Sequence, residues 1–341
     1  GGTFKGDGRG FWFGAVDAAT TIEISGVTAE STGGTSAAVQ FASTLAGPLS
    51  ISGGALIGAS RGLHFNGAIA GTSSVSLTGV AVSCTGNTAA LAFASTVACP
   101  VTISSSSFVQ PASAQGAMRF SGAVTGAVSV ALGTITADGA GVKAVADVSG
   151  SIDIDLVAVT AGGPAISVFS ITGGNVDVTR GTLTSTGGTA VYIIDAVSAT
   201  AKVSLAAVTL SGASKTFRAV GAFAGALSVA GGAMSTASGA AIYFDAPLAG
   251  SISLDKASIT TTAGSGSTAC RLPPSASRPP WRRRASARRR GPTAASTATT
   301  RRSCGGPTRT TGTSRSPRRP ARRGDPCWSR GLSLGIGDPT C

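Results

Sequence analysis

Apolar and polar residues alternate along most of the first 265 residues, in short runs broken by Gly, Ser, Thr, Asn and Asp. A period of two puts successive side chains on opposite faces of an extended strand, and no stretch keeps the three- and four-residue spacing of a helix face. The clearest run is an apolar-x-apolar triplet. It recurs as Ile22-Glu23-Ile24, Leu49-Ser50-Ile51, Val75-Ser76-Leu77, Val101-Thr102-Ile103 and Val128-Ser129-Val130. It continues as Ile152-Asp153-Ile154, Val176-Asp177-Val178, Val203-Ser204-Leu205, Leu227-Ser228-Val229 and Ile252-Ser253-Leu254. The steps between these ten copies are 27, 26, 26, 27, 24, 24, 27, 24 and 25 residues.

Each repeat carries two more strand signals. One follows the triplet closely, as in GVAVS (79–83), LVAVT (156–160) and AVTLS (207–211). The other follows a Gly-rich corner, as in SAAVQF (36–41), GLHF (62–65), LAF (91–93), AMRF (117–120), AISVF (165–169), AVYII (190–194) and AIYF (241–244). Three short strands in 24 to 27 residues describe one coil of a parallel β-helix, an all-β solenoid stabilised by stacking of each coil on its neighbours. Strands stack about 4.8 Å apart, so ten coils predict a rod about 50 Å long. A β-sandwich is the rival architecture, but its strand spacing does not stay so even. The third strand predicts an inward ladder of Phe41, Phe65, Phe93, Phe120, Val145, Val168, Ile193 and Phe244. The opening GFWF (10–13) reads as a third strand, so the chain is expected to begin in mid-coil, as a fragment of a longer protein.

The cycle S-V-S-L … V-T-x-x-G-G-x-A-I-x-V resembles the right-handed parallel β-helices of the pectin-lyase-like superfamily. Within it, the residues are most similar to the β-strand-repeat regions of large bacterial surface proteins and autotransporter passengers. The resemblance covers about residues 1–265 and is specific for the fold. It implies export, an extracellular or cell-surface location and a structural or adhesive role without catalysis. The partners it implies are glycans or surface proteins of host or neighbouring cells.

Composition divides the chain in two. Residues 1–267 form the repeat domain, and residues 268–341 form a low-complexity tail with 17 Arg, 2 Asp and no Lys, Phe, Val, Met or Tyr. The tail therefore carries +15 of the total +13, and the body carries −2. The basic pI belongs to the tail alone, and charge gives no argument that the body binds nucleic acid. The repeat breaks within a coil after GSISLDKASITTT, which leaves two readings of the tail: a disordered basic segment, or translation in a shifted frame. No apolar run is long enough to cross a membrane as a helix, and no signal peptide is evident.

The middle residues of the triplets should point outward. They form a ladder of Ser and Thr interrupted by Glu23, Asp153 and Asp177, with Asp155 two residues beyond Asp153. The plain reading of Asp153, Asp155 and Asp177 is a solvated outer face, with no metal and no cofactor. Two alternatives use their proximity: a Ca²⁺ site built from three carboxylates, or an acid/base pair acting on a polysaccharide as a lyase or hydrolase, in which mutual repulsion raises one pKa. Of the basic residues a sugar-cleaving site needs, only Arg180 lies near in sequence.

His64 is the single histidine and sits between two inward residues, so it should point outward. No nucleophile and base accompany it, which leaves no triad to build. Cys84 and Cys99 fall in one coil, either as a disulfide in an oxidising compartment or as two buried thiols. Thr-rich runs at 182–186 and 258–262 do not recur as T-x-T in every coil. The Gly-Gly pairs are corners, since no GK[ST] follows them.

Overall fold

The computed structural model describes residues 1–112 and 115–262, together with the backbone of Cys270–Arg271. The readings of residues 268–341 as a disordered or frame-shifted tail otherwise lie outside the described residues. The chain winds into three parallel sheets of 11, 11 and 10 strands, in which every strand bonds to the strands three places before and after it. The expected all-β solenoid of about ten coils is what forms. The first sheet holds the triplets, from Ile22–Ser25 to Ser251–Asp255. The second runs from Gly2–Gly6 to Ser258–Thr261, and the third from Phe11–Phe13 to Cys270–Arg271. The strand Gly2–Gly6 carries no repeat signature, yet it pairs in register with Val27–Ser31.

All ten triplets stack residue on residue. Their middle positions form one unbroken column: Glu23, Ser50, Ser76, Thr102, Ser129, Asp153, Asp177, Ser204, Ser228 and Ser253. The flanking apolar residues point inward and are buried from Leu49 to Val229. Register is held because a slip of one residue would turn both flanks to water.

The third sheet supplies the bulkiest part of the core. Phe13, Phe41, Phe65, Phe93 and Phe120 stack face to face, with centroids 4.8, 5.0, 4.9 and 4.8 Å apart and rings within 12° of parallel. The column continues as Ala144, Val168, Ile193, Ala219 and Phe244. This corrects the expectation for Val145. Regular pairing of Val142 and Ala144 with both neighbouring strands gives Ala144 the inward place, and Val145 falls in the register shift between Ala144 and Asp147, where it is only half-buried. A further inward column lies at the next corner, where single bridges link Val16, Leu45, Ile69, Val97, Val124 and Val148, and then Ile171, Val197, Phe223 and Leu248.

The corner from the first to the second sheet is the same in every coil. One position there is left-handed in all ten coils: Gly26, Gly53, Gly79, Ser105, Leu132, Leu156, Arg180, Ala207, Gly231 and Lys256 have φ between 50° and 67°, and at two of the corners the following Gly54 and Gly232 are left-handed as well. Six of the ten are not glycine, although left-handed backbone costs an L-residue about 1–2 kcal/mol. Stacking imposes the conformation on each coil from the coils beside it.

Candidate functional site

The fold sorts charge by face. Strands of the first sheet carry Glu23, Asp153, Asp155, Asp177 and Asp255 against one cation, Lys202. Strands of the second carry only Lys5 and Glu30, which pair with each other at 2.8 Å. Strands of the third, from Phe11–Phe13 to Ile242–Phe244, carry Arg61, Arg119, Lys143, Lys215 and Arg218 against Asp147. The acidic, neutral and basic faces cancel, and the net charge of −2 on the body comes from residues at the corners.

On the acidic face, Asp153 and Asp177 are direct neighbours in the column, as their positions in adjacent triplets required. Asp153 accepts a hydrogen bond from the Ser151 hydroxyl at 3.0 Å. Burial pushes the Asp177 carboxyl above its ordinary range, with Lys202 opposing that shift and Asp153 adding to it. Asp155 is drawn away from them. It accepts two hydrogen bonds from the Arg180 guanidinium, one from Nε at 3.0 Å and one from Nη2, and a third from Thr179 Oγ1 at 2.7 Å. These bonds hold its carboxyl below the usual range. Only two of the three carboxylates therefore share a place. Among the described residues, no three or more His, Cys, Asp or Glu side chains gather as a metal ion would require.

His64 takes the outward position its sequence predicted, yet it is covered. It occupies an outward register between Gln40 and Ala92 but is 8% exposed. Burial, and then the charge of Arg61, lower its pKa to about 4, so the imidazole is neutral at pH 7. Cys84 and Cys99 are free and buried, and desolvation raises both thiols to about 11. A thiol so seldom ionised is a poor nucleophile.

The outward column of the third sheet was not legible in advance. Its rungs are Trp12, Gln40, His64, Ala92, Arg119, Lys143, Ser167, Tyr192, Arg218 and Tyr243, each paired with the next. Trp12 is 54% exposed, whereas Arg119, Lys143, Tyr192, Arg218 and Tyr243 are half-buried. The Arg218 guanidinium lies over the Tyr192 ring at 5.5 Å, and the Lys215 ammonium over the Tyr243 ring at 5.0 Å. Such stacking keeps the cations close to the sheet. Arg218 also binds the Asp245 carboxylate at 2.7 Å.

Beside this column the Gly162-Gly163-Pro164 corner and residues 138–140 rise as one wall of a groove of about 540 Å³. Lys143, Ser167 and Tyr192 form its floor, with Ile194 next to them. Arg119 donates from Nη1 to the Gln115 side chain, while its Nε is buried without a hydrogen-bond partner. Burial, and then the neighbouring Arg119, lower the pKa of both Arg61 and Lys143. The groove itself is lined by one cation, Lys143, and one carboxylate, Asp138. Cations and aromatic faces set side by side in this way can take polar oxygens and stack against flat rings.

Comparison with protein-family models, with curated proteins and with solved structures gives no match.

Proposed function

We propose that this chain is a non-catalytic adhesive segment of an exported surface protein, a solenoid of the right-handed pectin-lyase-like kind from a β-strand-repeat region. Its role is to present a long, regular binding face to glycans at the cell exterior. The observation that carries this reading is the third-sheet column, which brings Trp12, Arg119, Lys143, Tyr192, Arg218 and Tyr243 from separate coils into one line. Aromatic faces and planar or ammonium donors are the groups that hold sugars: rings stack on their C–H faces, and the donors take their oxygens. The near-constant coil length supports presentation, since long loops that would enclose a reaction centre are lacking among the described coils.

The test is to incubate the full chain with soluble neutral and acidic polysaccharides and to follow two signals together. One is hydroxyl-radical footprinting of Tyr192 and Tyr243; the other is release of new chain ends. Protection without cleavage is the expected result. Cleavage that disappears in Asp153→Asn or Asp177→Asn would overturn the proposal in favour of a polysaccharide-active enzyme.

A further inference from the structure

The second sheet is the one face whose outward side chains have no part in the acidic or aromatic columns. Its strands pair in register from end to end without a bulge, so those side chains stand in two straight columns. Over the six coils from Thr134 to Thr260, the twelve outward positions hold seven Thr, three Ser and two Ala. Rows such as Thr134 with Thr136 and Thr182 with Thr184 show the pattern whole. Ala158, Ala233 and the serines interrupt a strict T-x-T motif in the sequence, yet register aligns them all. All twelve are exposed or half-buried, and none is charged or aromatic. Among the described residues, only one of these ten hydroxyls bonds to the protein, that of Ser235 to the Leu210 carbonyl oxygen at 3.4 Å. Hydroxyls on the first sheet are committed differently, as Ser151 is to Asp153 and Thr179 to Asp155.

The other nine hydroxyls direct their hydrogen bonds to water, and they do so on a lattice. Rungs lie about 4.8 Å apart along the rod, and alternate residues about 6.6 Å apart along a strand. Equivalent oxygens on a prism face of hexagonal ice form a rectangular net of closely similar dimensions. Branching at Cβ restricts Thr to few rotamers, so hydroxyl and methyl keep their directions from rung to rung. We infer that the outward face of the second sheet binds ice: its hydroxyls take oxygen positions in the first layer, and its methyl groups sit in the hollows between them. Other occupants fit less well. A polyanion needs cations, and a solid polysaccharide needs aromatic faces to stack on; these coils offer neither. A second copy would find about 500 Å² on each side, from eleven rungs about 10 Å wide. That is less than the roughly 800 Å² per partner of a stable interface, where Ser and Ala are also scarce. Ice and glycan would be held on different sheets, so either can fail without the other.

The test is to grow ice slowly from a dilute solution of the full chain and to measure the fraction overgrown by the crystal against the fraction left in the liquid. A growing front pushes ordinary solutes ahead of it and engulfs those that adsorb, so an inert globular protein in the same solution sets the background. Thr160→Lys and Thr184→Lys place a long charged chain on adjacent rungs of one column. Ser129→Lys and Ser228→Lys do the same on the outward column of the first sheet. The urea midpoint of each variant shows whether the fold is kept, and Thr182→Lys, in the other column, repeats the measurement if Thr160→Lys moves it. The parent and both first-sheet variants should enter the ice. Thr160→Lys should enter at least about tenfold less, the change that a loss of about 1.4 kcal/mol gives, and the double variant with Thr184→Lys no more than the inert protein.

Uptake of the parent and the first-sheet variants, lost in the folded second-sheet variants, supports ice binding. Exclusion of the parent overturns it. Equal uptake of the parent and the second-sheet variants overturns it in favour of another part of the chain. A parent that is excluded from ice but sediments as a dimer, dispersed by Thr160→Lys, assigns the face to a second copy. A parent that is excluded from ice but retained on crystalline cellulose, with retention lost in Thr160→Lys, assigns it to a solid polysaccharide.

Discussion

The corner between the first and second sheets allows a test with opposite signs at equivalent places. At Gly79 the backbone has φ 65°, and a Cβ added there would meet nothing within 4 Å. Gly79→Ala therefore probes backbone strain without a steric clash. The left-handed conformation costs an L-residue about 1–2 kcal/mol, and loss of glycine freedom in the unfolded chain returns about 0.4–1 kcal/mol. The expected net loss is about 1 kcal/mol. Ala207 occupies the same corner five coils on, with φ 54° and an exposed side chain. Ala207→Gly should gain about the same amount, since an exposed methyl contributes little burial. Gly54→Ala is the steric control, because its Cβ would fall 2.0 Å from the Val27 carbonyl oxygen, and its cost should be several times larger. Urea unfolding of the full-length variants, followed by far-UV circular dichroism, gives the order of midpoints: A207G above the parent, G79A below it and G54A lowest. A destabilised A207G, or a G79A indistinguishable from the parent, would refute the claim that stacking forces these residues into a conformation they resist.

Two further outcomes follow from buried side chains. The His64 pKa is about 4 in the folded chain against an ordinary 6.5, so its contribution to stability is complete above pH 6.5 and is lost as pH falls toward 4. The whole effect amounts to about 3 kcal/mol at most, and in His64→Gln the denaturation midpoint should fall less steeply over that range; parallel curves would contradict it. Phe93 is 1% exposed between Phe65 and Phe120, and Phe93→Ala should cost about 3–5 kcal/mol by thermal and urea unfolding, whereas a loss below about 1 kcal/mol would mean the stack does not bear on stability.

The architecture was legible because it is written in short range. Each triplet announces its strand, the even spacing announces the coil, and all ten outward middle residues meet in the order that spacing required. Three features were not legible, for related reasons. In VKAVADV apolar residues fall on both faces and a bulge follows Ala144, so the sequence did not mark which residue faces inward and Val145 was put in the wrong place. Six of the left-handed corners carry Ser, Leu, Arg, Ala or Lys, so nothing local marks the turn. The basic column is spread one residue per coil over more than 200 residues, and no motif joins Trp12 to Arg119 or Tyr243. Its members come together only when every turn length is known. The acidic trio showed the converse: two of its members were placed correctly, and the third was taken by Arg180 from the next corner.

Because each coil bonds only to the coil before and the coil after, the rod has no privileged length. Ser151 pairs with Asn175, so the segment 151–174 is a self-contained module whose two junctions are equivalent points on the same winding. Duplication or excision of such a module in a gene keeps the winding and the strand register and creates one new coil-to-coil interface, in which equivalent positions still meet. The length of the solenoid and the number of rungs on each of its faces then change together, in steps of one coil. A lineage can adjust the length of the solenoid by counting, at the cost of one new junction each time.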